Sequence, residues 1–248
     1  MPSSDANPRQ LIFDFPGHAE FSFENFVVAP DSSQAFQAAR DISSASSPLE
    51  FSSLFLHGGP NLGKTHLLIA LGNALSKNFP NKKTCYVDCR ELLRTGASPA
   101  LSAEKTQQLA DGDFILLDDV DCGLDQLAFQ ESLYHIYNSI SDRQGKIIFA
   151  SRNAPQSIQA SDFLTSRFLW GLTAEIGPLD FDSMGRLIIK LGKDCGVAMP
   201  ENAAQFLMNR IARDFVSVRN AVDAINRFSL THKRKVTIPL IREALELD

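Results

Sequence analysis

The stretch LFLHGGPNLGKTH, residues 54–66, decides how the rest of the chain is interpreted. An apolar run ends in two glycines and a proline, and a glycine, a lysine and a threonine follow before the next apolar run. Gly58, four intervening residues and then Gly63-Lys64-Thr65 match the pattern of a phosphate-binding loop. Because the loop follows a predicted strand and opens a predicted helix, it has the context that this pattern requires.

Each residue type in this loop suits the binding of phosphate. Glycines let successive backbone N–H groups turn toward phosphate oxygens, and the N-terminus of the following helix adds a partial positive charge. The Lys64 ammonium can reach the terminal phosphates of a nucleotide, and the Thr65 hydroxyl can ligate Mg²⁺. The alternative is a glycine-rich turn that holds no ligand.

A pair of carboxylates lies at the end of a second apolar run, FILLDD. A buried carboxylate without a partner is costly, and proteins with a phosphate-binding loop use such a group to position the metal and its water. We predict that Asp118 is a metal ligand together with Thr65, and that Asp119 orients the attacking water. The alternative is that the pair only caps the next helix.

Between Leu54 and residue 151 the chain alternates predicted strands with predicted helices. The strands are continuous apolar runs, as in a parallel sheet that helices cover on both faces. They read LFLH (54–57), TCYVDC (84–89), FILLDDV (114–120) and KIIFAS (146–151). The alternation predicts an α/β, doubly wound fold.

The regions on either side have a different character. Upstream, Pro30 and the pair Asp31 and Ser32 predict the start of a helix over AFQAARDI. Downstream, every segment from about Phe181 has helical spacing. We therefore predict three parts, which are an N-terminal segment (1–20), an α/β nucleotide-binding base (21–178) and a small C-terminal helical lid (179–248).

Composition limits the functional classes. The 248 residues include 24 basic and 29 acidic side chains, for a formal net charge of −5, which argues against a protein whose main work is neutralising a nucleic-acid backbone. No apolar run approaches the roughly 18 residues of a membrane span, and the N-terminus lacks a secretory signal. We expect a cytoplasmic protein with no membrane partner.

Two smaller patterns favour a structural interpretation. The four cysteines are interpreted as small buried thiols rather than as a metal or disulfide site, because no histidine pair lies near them. They are Cys85, Cys89, Cys122 and Cys195. The basic run HKRK at 232–235 is interpreted as a helix C-terminus, where cations are favoured, rather than as a nucleic-acid contact.

Six segments, in order, resemble the AAA+ core of the DnaA/Hda family of bacterial replication proteins. The resemblance covers roughly residues 21–246, and the whole length is similar to the shorter, Hda-type members. The segments are FSFENFVVAP, GGPNLGKTHLL, LLDDVD, LTSRFLWGL, SVRNAVDAI and KRKVTIPLIREAL. The resemblance implies a parallel-sheet base with a phosphate-binding loop and a helical lid.

The resemblance also implies roles for individual residues. Val27 and Val28 would lie beside the adenine of ADP or ATP. The phosphates, with Mg²⁺, would be wrapped by Gly58, Gly59, Pro60, Asn61, Leu62, Gly63, Lys64, Thr65 and His66. Arg167 would be an arginine finger that reaches a neighbouring subunit's nucleotide, unless it pairs with a local acid such as Asp162. Arg219 would touch the bound nucleotide from the lid, unless it is only a surface residue.

The sequence departs from the family pattern at several positions. Arg152 stands where the pattern has an aspartate, and Asn153 where it has an arginine. Phe163 replaces an arginine four residues before the finger, and Ser32 an asparagine near the adenine. These changes weaken the case for efficient hydrolysis by this chain itself. The sequence also stops just after the lid, so we expect no direct sequence-specific binding of DNA.

A short apolar segment near the N-terminus resembles the peptide with which Hda-type proteins engage the sliding clamp. Its candidate contacts are Gln10, Leu11, Phe13 and Phe15. Such a peptide anchors apolar side chains in a preformed pocket and pays ordering entropy on binding. The alternative is that the segment packs as a strand on this chain's own base.

Together, these features predict a regulator of replication initiation. It would bind ADP or ATP, engage the β subunit of the polymerase as its sliding clamp, and insert Arg167 into the ATP site of the initiator DnaA to stimulate hydrolysis there. A homo-oligomer is a further expectation. Two alternatives remain open, which are an adaptor that does not stimulate hydrolysis and a self-sufficient AAA+ ATPase.

Overall fold

A computed structural model describes residues 21–44, 52–95 and 101–247, together with the backbone of residues 12–14. The chain divides into two compact units. The sheet unit comprises Met1–Asn25, Ala35–Gly58 and Lys64–Glu175, and the helical unit comprises Phe26–Gln34, Gly59–Gly63 and Ile176–Asp248. The domain boundary between residues 178 and 179 stays a prediction.

The sheet unit contains a six-stranded sheet. Its strands are β1 (Ile12–Asp14), β2 (Ser53–His57), β3 (Thr84–Asp88), β4 (Phe114–Asp118), β5 (Lys146–Ser151) and β6 (Leu172–Glu175). They lie in the order β1-β3-β4-β5-β2-β6, and all neighbours are parallel except β1 and β3. The parallel strands therefore end at one shared edge, where the phosphate-binding loop and the Asp118–Asp119 pair begin.

Helices accompany this sheet. They are α1 (Ser33–Ser43), α2 (Lys64–Asn78), α3 (Cys89–Thr95), α4 (Ala103–Ala110), α5 (Leu127–Asp142) and α6 (Asp162–Trp170). Between the sheet and α5 and α6 the largest side chains, among them Phe55, Phe149 and Phe168, are almost fully buried. Burying one such side chain contributes roughly 1.5–3 kcal/mol, so this core fixes the strand register and hence the shared edge.

The helical unit is built from α7 (Phe181–Asp194), α8 (Glu201–Met208), α9 (Phe215–His232) and α10 (Ile238–Leu245). Three of these helices are capped at their N-terminus by a polar side chain that accepts a hydrogen bond from a backbone N–H of the first turn. The capping residues are Asp180, Asp214 and Thr237. Such caps contribute about 1 kcal/mol each. The apolar faces meet around Met184, Leu207 and Leu240, all fully buried.

The four predicted strands are confirmed, although two end earlier than predicted. Cys89 begins α3, and Asp119 leaves β4 in the left-handed conformation before a 3-10 turn at Val120–Gly123. The sequence did not predict β6, α3, α4 or α6. The strand β6 has only one buried side chain in four, so it lacks the continuous apolar run that marks the inner strands.

The predicted helix over AFQAARDI is confirmed as α1, but the Asp31 and Ser32 pair that was predicted to start it does not cap it. A 3-10 turn over Pro30–Ser32 precedes the helix. The hydroxyl of Ser32 accepts a hydrogen bond from the Gly177 N–H at 3.2 Å, so it ties two segments of the helical unit together instead of capping α1. Tertiary contact has overridden a local signal.

The cysteines are free thiols, of which Cys85 and Cys89 are buried, Cys122 is half-buried and Cys195 is exposed. The basic run at 232–235 follows the predicted pattern, because α9 ends at His232 and its last turn carries that side chain. Within the residues that the structure describes, no helix has the length and apolar composition that crossing a membrane requires.

Candidate functional site

The phosphate-binding loop follows strand β2 and leads into helix α2. The Gly58 N–H donates to the Ser151 carbonyl at the end of β5, at 3.2 Å, which joins the start of the loop to a neighbouring strand. Lys64 is the first residue of α2, is 7% exposed, and donates from Nζ to the Gly58 carbonyl at 2.9 Å. This hydrogen bond therefore joins the first residue of the loop, Gly58, to Lys64 near its end.

Burial lowers the pKa of the Lys64 ammonium, and the carboxylates of Asp119, Asp118 and Asp121 oppose that shift. A charge held this far from water is stabilised by anions close to it. The site therefore combines a buried cation with carboxylates, which is the arrangement that a phosphate group and a divalent cation complete together.

Asp118 is the last residue of β4 and only 3% exposed. Its Oδ2 accepts from the Tyr86 hydroxyl at 3.1 Å, and its Oδ1 accepts from the Asp119 N–H at 3.0 Å. Burial raises the pKa of Asp118, while a hydrogen bond from the Thr65 side chain lowers it. The two predicted metal ligands, Thr65 and Asp118, are thus in direct contact.

Asp119 has a different environment from its neighbour. Its backbone is left-handed, with φ 49° and ψ 42°, a conformation that costs a non-glycine residue roughly 1–3 kcal/mol. Its side chain caps no helix, so that alternative is wrong. Instead, its Oδ2 lies 2.8 Å from the Arg90 guanidinium in an ion pair with α3.

The end of β5 borders the same edge. Ser151 is fully buried, and its hydroxyl accepts from the Asn153 N–H at 3.2 Å. The Arg152 N–H donates to Asp121 Oδ1 at 3.3 Å, and the side chains of Arg152 and Asn153 are exposed. Two of the four positions that depart from the family pattern, Arg152 and Asn153, are therefore exposed.

His66 is among the predicted phosphate-binding residues, but its ring has other contacts. A ring nitrogen lies 3.1 Å from the Ser22 carbonyl, and the ring makes an edge contact with Phe21 at 5.1 Å between centroids. The sheet unit thus uses this side chain to hold the segment that enters it.

Arg167 lies on α6, half-buried among polar and aromatic groups. Its Nε donates to Asn138 Oδ1 at 3.1 Å, and its Nη2 to the Tyr134 hydroxyl at 3.4 Å. The guanidinium carbon lies 5.1 Å from the ring centroid of Tyr134 and 5.0 Å from that of Trp170. In the described residues it pairs with no carboxylate, so the alternative partner, Asp162, is wrong.

The remaining predicted contacts belong to the helical unit. Val27 packs against the core of that unit, and the Val28 carbonyl accepts from Ser183 Oγ at 3.3 Å and from Arg186 Nη2 at 3.1 Å. Arg219 lies on α9 with 59% of its side chain exposed, 3.7 Å from Asp223 Oδ2. This weak pair is compatible with both interpretations of Arg219.

The middle of the loop, Gly59–Gly63, is also assigned to the helical unit. Gly63 has φ +99°, and a Cβ there would meet the Phe26 ring at 3.0 Å, so this position favours glycine. Asn61 is left-handed at φ 61°, and its carbonyl accepts from the Phe215 N–H at 3.2 Å. Pro60 and Leu62 complete this stretch.

The predicted clamp peptide lies largely outside the described residues, which include neither Gln10, Leu11 nor Phe15. The backbone of Ile12–Asp14 forms β1, and Phe13 lies opposite Tyr86 of β3 in an antiparallel pair. This pairing supports the alternative that the segment is a strand on the chain's own sheet.

Sequence reasoning missed two residues that contact the carboxylates, Tyr86 and Arg90. Both follow from the parallel register of β3 and β4, in which Asp88 lies opposite Asp118. It also missed the three residues that surround Arg167, namely Tyr134, Asn138 and Trp170. The spacing of Tyr134 and Asn138, four residues apart on the predicted helix α5, was the available signal.

Comparisons with known proteins agree with this geometry. The family model for the bacterial DnaA ATPase domain matches residues 18–175, and the model for the Hda lid domain matches residues 186–245. The chromosomal replication initiator protein DnaA of Thermomicrobium roseum is 32% identical over 231 residues, which are 91% of this chain and 49% of that protein. The chain therefore spans about half the length of this curated relative.

Two solved structures show the same architecture. Domain III of DnaA from Thermotoga maritima superposes with a TM-score of 0.82 at 27% identity, over 94% of this chain and 98% of that one. AMPPCP-bound DnaA from Aquifex aeolicus superposes with a TM-score of 0.72 at 24% identity, over 84% of this chain and 65% of that one. The predicted fold, a parallel-sheet base with a phosphate-binding loop and a C-terminal helical lid, is confirmed, and the chain belongs to the DnaA/Hda family of AAA+ proteins.

Proposed function

We propose that this chain binds ADP or ATP with Mg²⁺ at the edge where β2 and β4 end. The observation that carries the proposal is the cluster of Lys64, Thr65 and Asp118, in which a buried ammonium lies near a hydroxyl and a carboxylate that contact each other. A nucleotide phosphate with its metal ion would complete this cluster.

The donor set fits Mg²⁺. This cation prefers oxygen ligands and is held by one or two protein groups together with phosphate oxygens, and the Thr65 hydroxyl and the Asp118 carboxylate offer such oxygens. When bound, the ion would neutralise charge on the phosphates. Tyr86 and the Asp119 N–H would hold the Asp118 carboxylate in place by their hydrogen bonds.

We propose further that the chain regulates replication initiation by stimulating ATP hydrolysis in the initiator DnaA. Arg167 supports this role, because its guanidinium is held by neutral groups and carries a charge that no carboxylate of the described residues neutralises. A planar, permanently charged guanidinium suits the transition state of phosphoryl transfer. The chemistry would take place in the partner, with this chain supplying the finger.

Recruitment by the sliding clamp is the third part of the proposal. The segment that contains Gln10 and Leu11 would bind the clamp as an extended peptide and so concentrate this chain where DNA is being copied. Membership of the DnaA/Hda family favours a role in the control of initiation. The sliding clamp is proposed as the partner because this segment resembles the peptide with which Hda-type proteins engage it.

A steady-state ATPase assay tests the regulatory proposal. Initiator, clamp and DNA are mixed with and without this chain, and the release of phosphate is measured. We expect strong acceleration that needs all components, whereas hydrolysis by this chain alone is slow. Unchanged hydrolysis by the initiator would favour the alternative that this chain is an adaptor. Robust turnover by this chain alone would favour a self-sufficient ATPase.

The state of Asp119 favours slow intrinsic hydrolysis. Its carboxylate is engaged by Arg90 at 2.8 Å instead of being directed only at water. Since a water-orienting carboxylate must be available when the nucleophile attacks, this ion pair opposes turnover in this chain.

A further inference from the structure

A cavity of about 770 Å³ lies in the sheet unit, apart from the candidate nucleotide site. It is lined by residues of the segment 21–25, which we call the entry segment, by α1 with Ser44, and by the C-terminal part of α2. Lys64 begins α2, whereas Lys77, which lines the cavity, lies in its last turn. At 1.5 Å per residue these two lysines are roughly 20 Å apart along the helix. The cavity is therefore a second feature of the sheet unit.

Hydrogen bonds hold the walls of this cavity. Asn73 Nδ2 donates to the Phe21 carbonyl at 2.9 Å, which fixes the entry segment to α2. Asn78 Nδ2 donates to the Ser43 carbonyl at 2.7 Å, which joins the ends of α1 and α2. The cavity is therefore formed before any ligand arrives, as most small-molecule sites are.

Part of the lining is apolar. Two half-buried rings, Phe23 and Phe36, contribute to it together with Ala70 and Ala74. The rings meet edge to face at 5.6 Å between their centroids, so they also tie the entry segment to α1. Because alanine has a small side chain, the two positions on α2 leave space instead of filling it. An apolar molecule of moderate size could pack against this surface.

Two cations and one carboxylate also line the cavity, and all three are exposed. They are Arg40, Lys77 and Glu24. The Arg40 guanidinium carbon lies 6.0 Å from the ring centroid of Phe36, and among the described residues neither cation makes a hydrogen bond or an ion pair. Hydrogen bonds with its own backbone and with the Ser22 side chain lower the pKa of Glu24, and the charges of Lys77 and Arg40 lower it further. The lining thus carries one positive charge in excess.

Helix polarity explains only part of this arrangement. Arg40 and Lys77 lie in the last turns of α1 and α2, where the unpaired carbonyls favour a cation. That effect accounts for the residue type at each position. It does not account for a cavity in which both cations border the same apolar surface.

The size of the cavity favours a small molecule over a protein partner. Ligand sites commonly enclose about 300–1,000 Å³, a range that includes this cavity. Twelve of the described residues line it, fewer than the roughly 20–30 on each side of a stable protein interface.

We propose that this cavity binds a small amphipathic organic anion. Its apolar body would pack on Phe23 and Phe36, and its charged group would accept hydrogen bonds from Arg40 and Lys77, which are stronger when both partners are charged. Glu24 would repel a ligand with several negative charges, so the ligand class is a monoanion. This site is independent of the proposed nucleotide binding and of the proposed regulatory function.

The experiment is a fluorescence titration of the full chain with 8-anilinonaphthalene-1-sulfonate, which carries one sulfonate on an aromatic body. The double variant Arg40→Gln/Lys77→Gln removes both cations, and Ala74→Leu keeps them but fills part of the space. A hydrogen bond to a charged group corresponds to roughly tenfold in affinity. We therefore expect Kd to rise about tenfold in the double variant, and to rise by a similar factor in Ala74→Leu.

Two controls make the result specific. The double variant Lys82→Gln/Arg94→Gln removes the same charge from two exposed ion pairs elsewhere in the sheet unit, and should leave Kd within about twofold. Octanoate should displace the probe, whereas 1-octanol, which has the same chain length without the charge, should not. Thermal unfolding of each variant without the probe shows whether its fold is kept.

Hydrogen–deuterium exchange locates the bound probe, and slower exchange in α1 and in the C-terminal part of α2 would support the inference. Unchanged affinity in Arg40→Gln/Lys77→Gln or in Ala74→Leu would overturn it. So would the absence of saturable binding, or displacement by 1-octanol as effective as that by octanoate. Displacement by ADP with Mg²⁺ would assign the probe to the nucleotide site and overturn the inference too. A chain that binds the probe at this cavity but takes up no nucleotide would leave the inference standing and overturn the proposed nucleotide binding.

Discussion

The guanidinium of Arg90 lies 2.8 Å from Oδ2 of Asp119, the second carboxylate of the LLDD segment. Arg90 belongs to α3 and Asp119 directly follows β4, so the pair links the ends of two adjacent strands at the candidate site. Asp119 is 24% exposed and Arg90 52%, which makes the pair accessible to water and modest in energy. The pair matters because it engages the carboxylate that is predicted to orient the attacking water.

Arg90→Ala should release Asp119 and raise the intrinsic rate of ATP hydrolysis. A water-exposed ion pair is worth about 0.2–1 kcal/mol, so the expected increase is about 1.4- to fivefold. Single-turnover hydrolysis with saturating ATP and Mg²⁺ measures it. Arg94→Ala, which removes an exposed arginine of the same helix, is the matched control, and a double variant with Asp119→Asn should lose the gain. A rate that falls in Arg90→Ala would show that the arginine assists catalysis.

Asp118→Asn should stabilise the nucleotide-free chain at neutral pH. Burial raises the pKa of Asp118 above its ordinary value of 3.8. The folded state therefore binds a proton more tightly than the unfolded state, and stability is lost as the pH rises from about the ordinary value through the raised one. Replacing the charged side chain by a neutral one should recover the lost stability. Each kcal/mol in the free energy of unfolding corresponds to about 2–4 °C in Tm for a chain of this size.

Thermal scans at a series of pH values check this sign. The gain of Asp118→Asn over wild type should be larger at pH 8 than at pH 4.5. The same variant should lose Mg²⁺-dependent binding of nucleotide. A gain that does not change with pH would mean that packing, and not the buried charge, is responsible.

Lys64→Ala should weaken nucleotide binding without unfolding the sheet unit. The variant removes the ammonium that donates to the Gly58 carbonyl and that the phosphates would contact. For the wild-type chain, a ligand at 100 times Kd stabilises by about 2.7 kcal/mol, which a thermal shift assay detects readily. We expect most of the ADP-induced shift to disappear, whereas an undiminished shift would place the phosphates elsewhere.

Arg167→Ala should abolish stimulation of the initiator and leave nucleotide binding intact. An arginine finger accelerates phosphoryl transfer by about three to five orders of magnitude, so stimulation should fall at least a hundredfold even if the partner retains some activity. The readouts are ATP hydrolysis by the initiator and nucleotide affinity of this chain, measured on the same preparations. Arg94→Ala again serves as the control, and equal stimulation by Arg167→Ala would remove the finger from the mechanism.

Replacement of Gln10 and Leu11 by alanine should prevent capture of this chain by the sliding clamp. Short peptide motifs bind through a few anchors, so the double variant should lose at least tenfold in affinity. A pull-down on immobilised clamp followed by a titration measures this. Retained binding would reject the peptide as the contact, and unaltered thermal stability of the variant excludes loss of fold.

The inner part of the fold could be predicted because its strands are long and continuously apolar. LFLH and KIIFAS lie in the middle of the sheet, covered on both faces, and nothing local competes with that pattern. The strand β6 and the helix α6 could not be predicted in the same way. The former is a short edge strand, and the latter carries the exposed side chains Phe163 and Trp170, which blur its helical periodicity.

The candidate site shows the same division. Lys64, Thr65 and Asp118 could be predicted as members of the candidate site, since the loop pattern is specific and a carboxylate at the end of a buried strand needs a partner. Tyr86 and Arg90 could not, because their contacts with the carboxylates depend on which strand lies beside β4. Ser32 had a correct polar residue type for a helix cap, but its partner is Gly177, far along the chain.

The three-residue strand β1 has a thermodynamic consequence for recruitment. Any partner that grips Ile12–Asp14 as an extended peptide competes with β3 for the same main-chain donors and acceptors. The measured association constant is then the intrinsic association constant multiplied by the fraction of molecules in which β1 is not paired with β3. Substitutions in β3 that alter its pairing with β1 would therefore change the affinity for such a partner, although the peptide itself is unchanged.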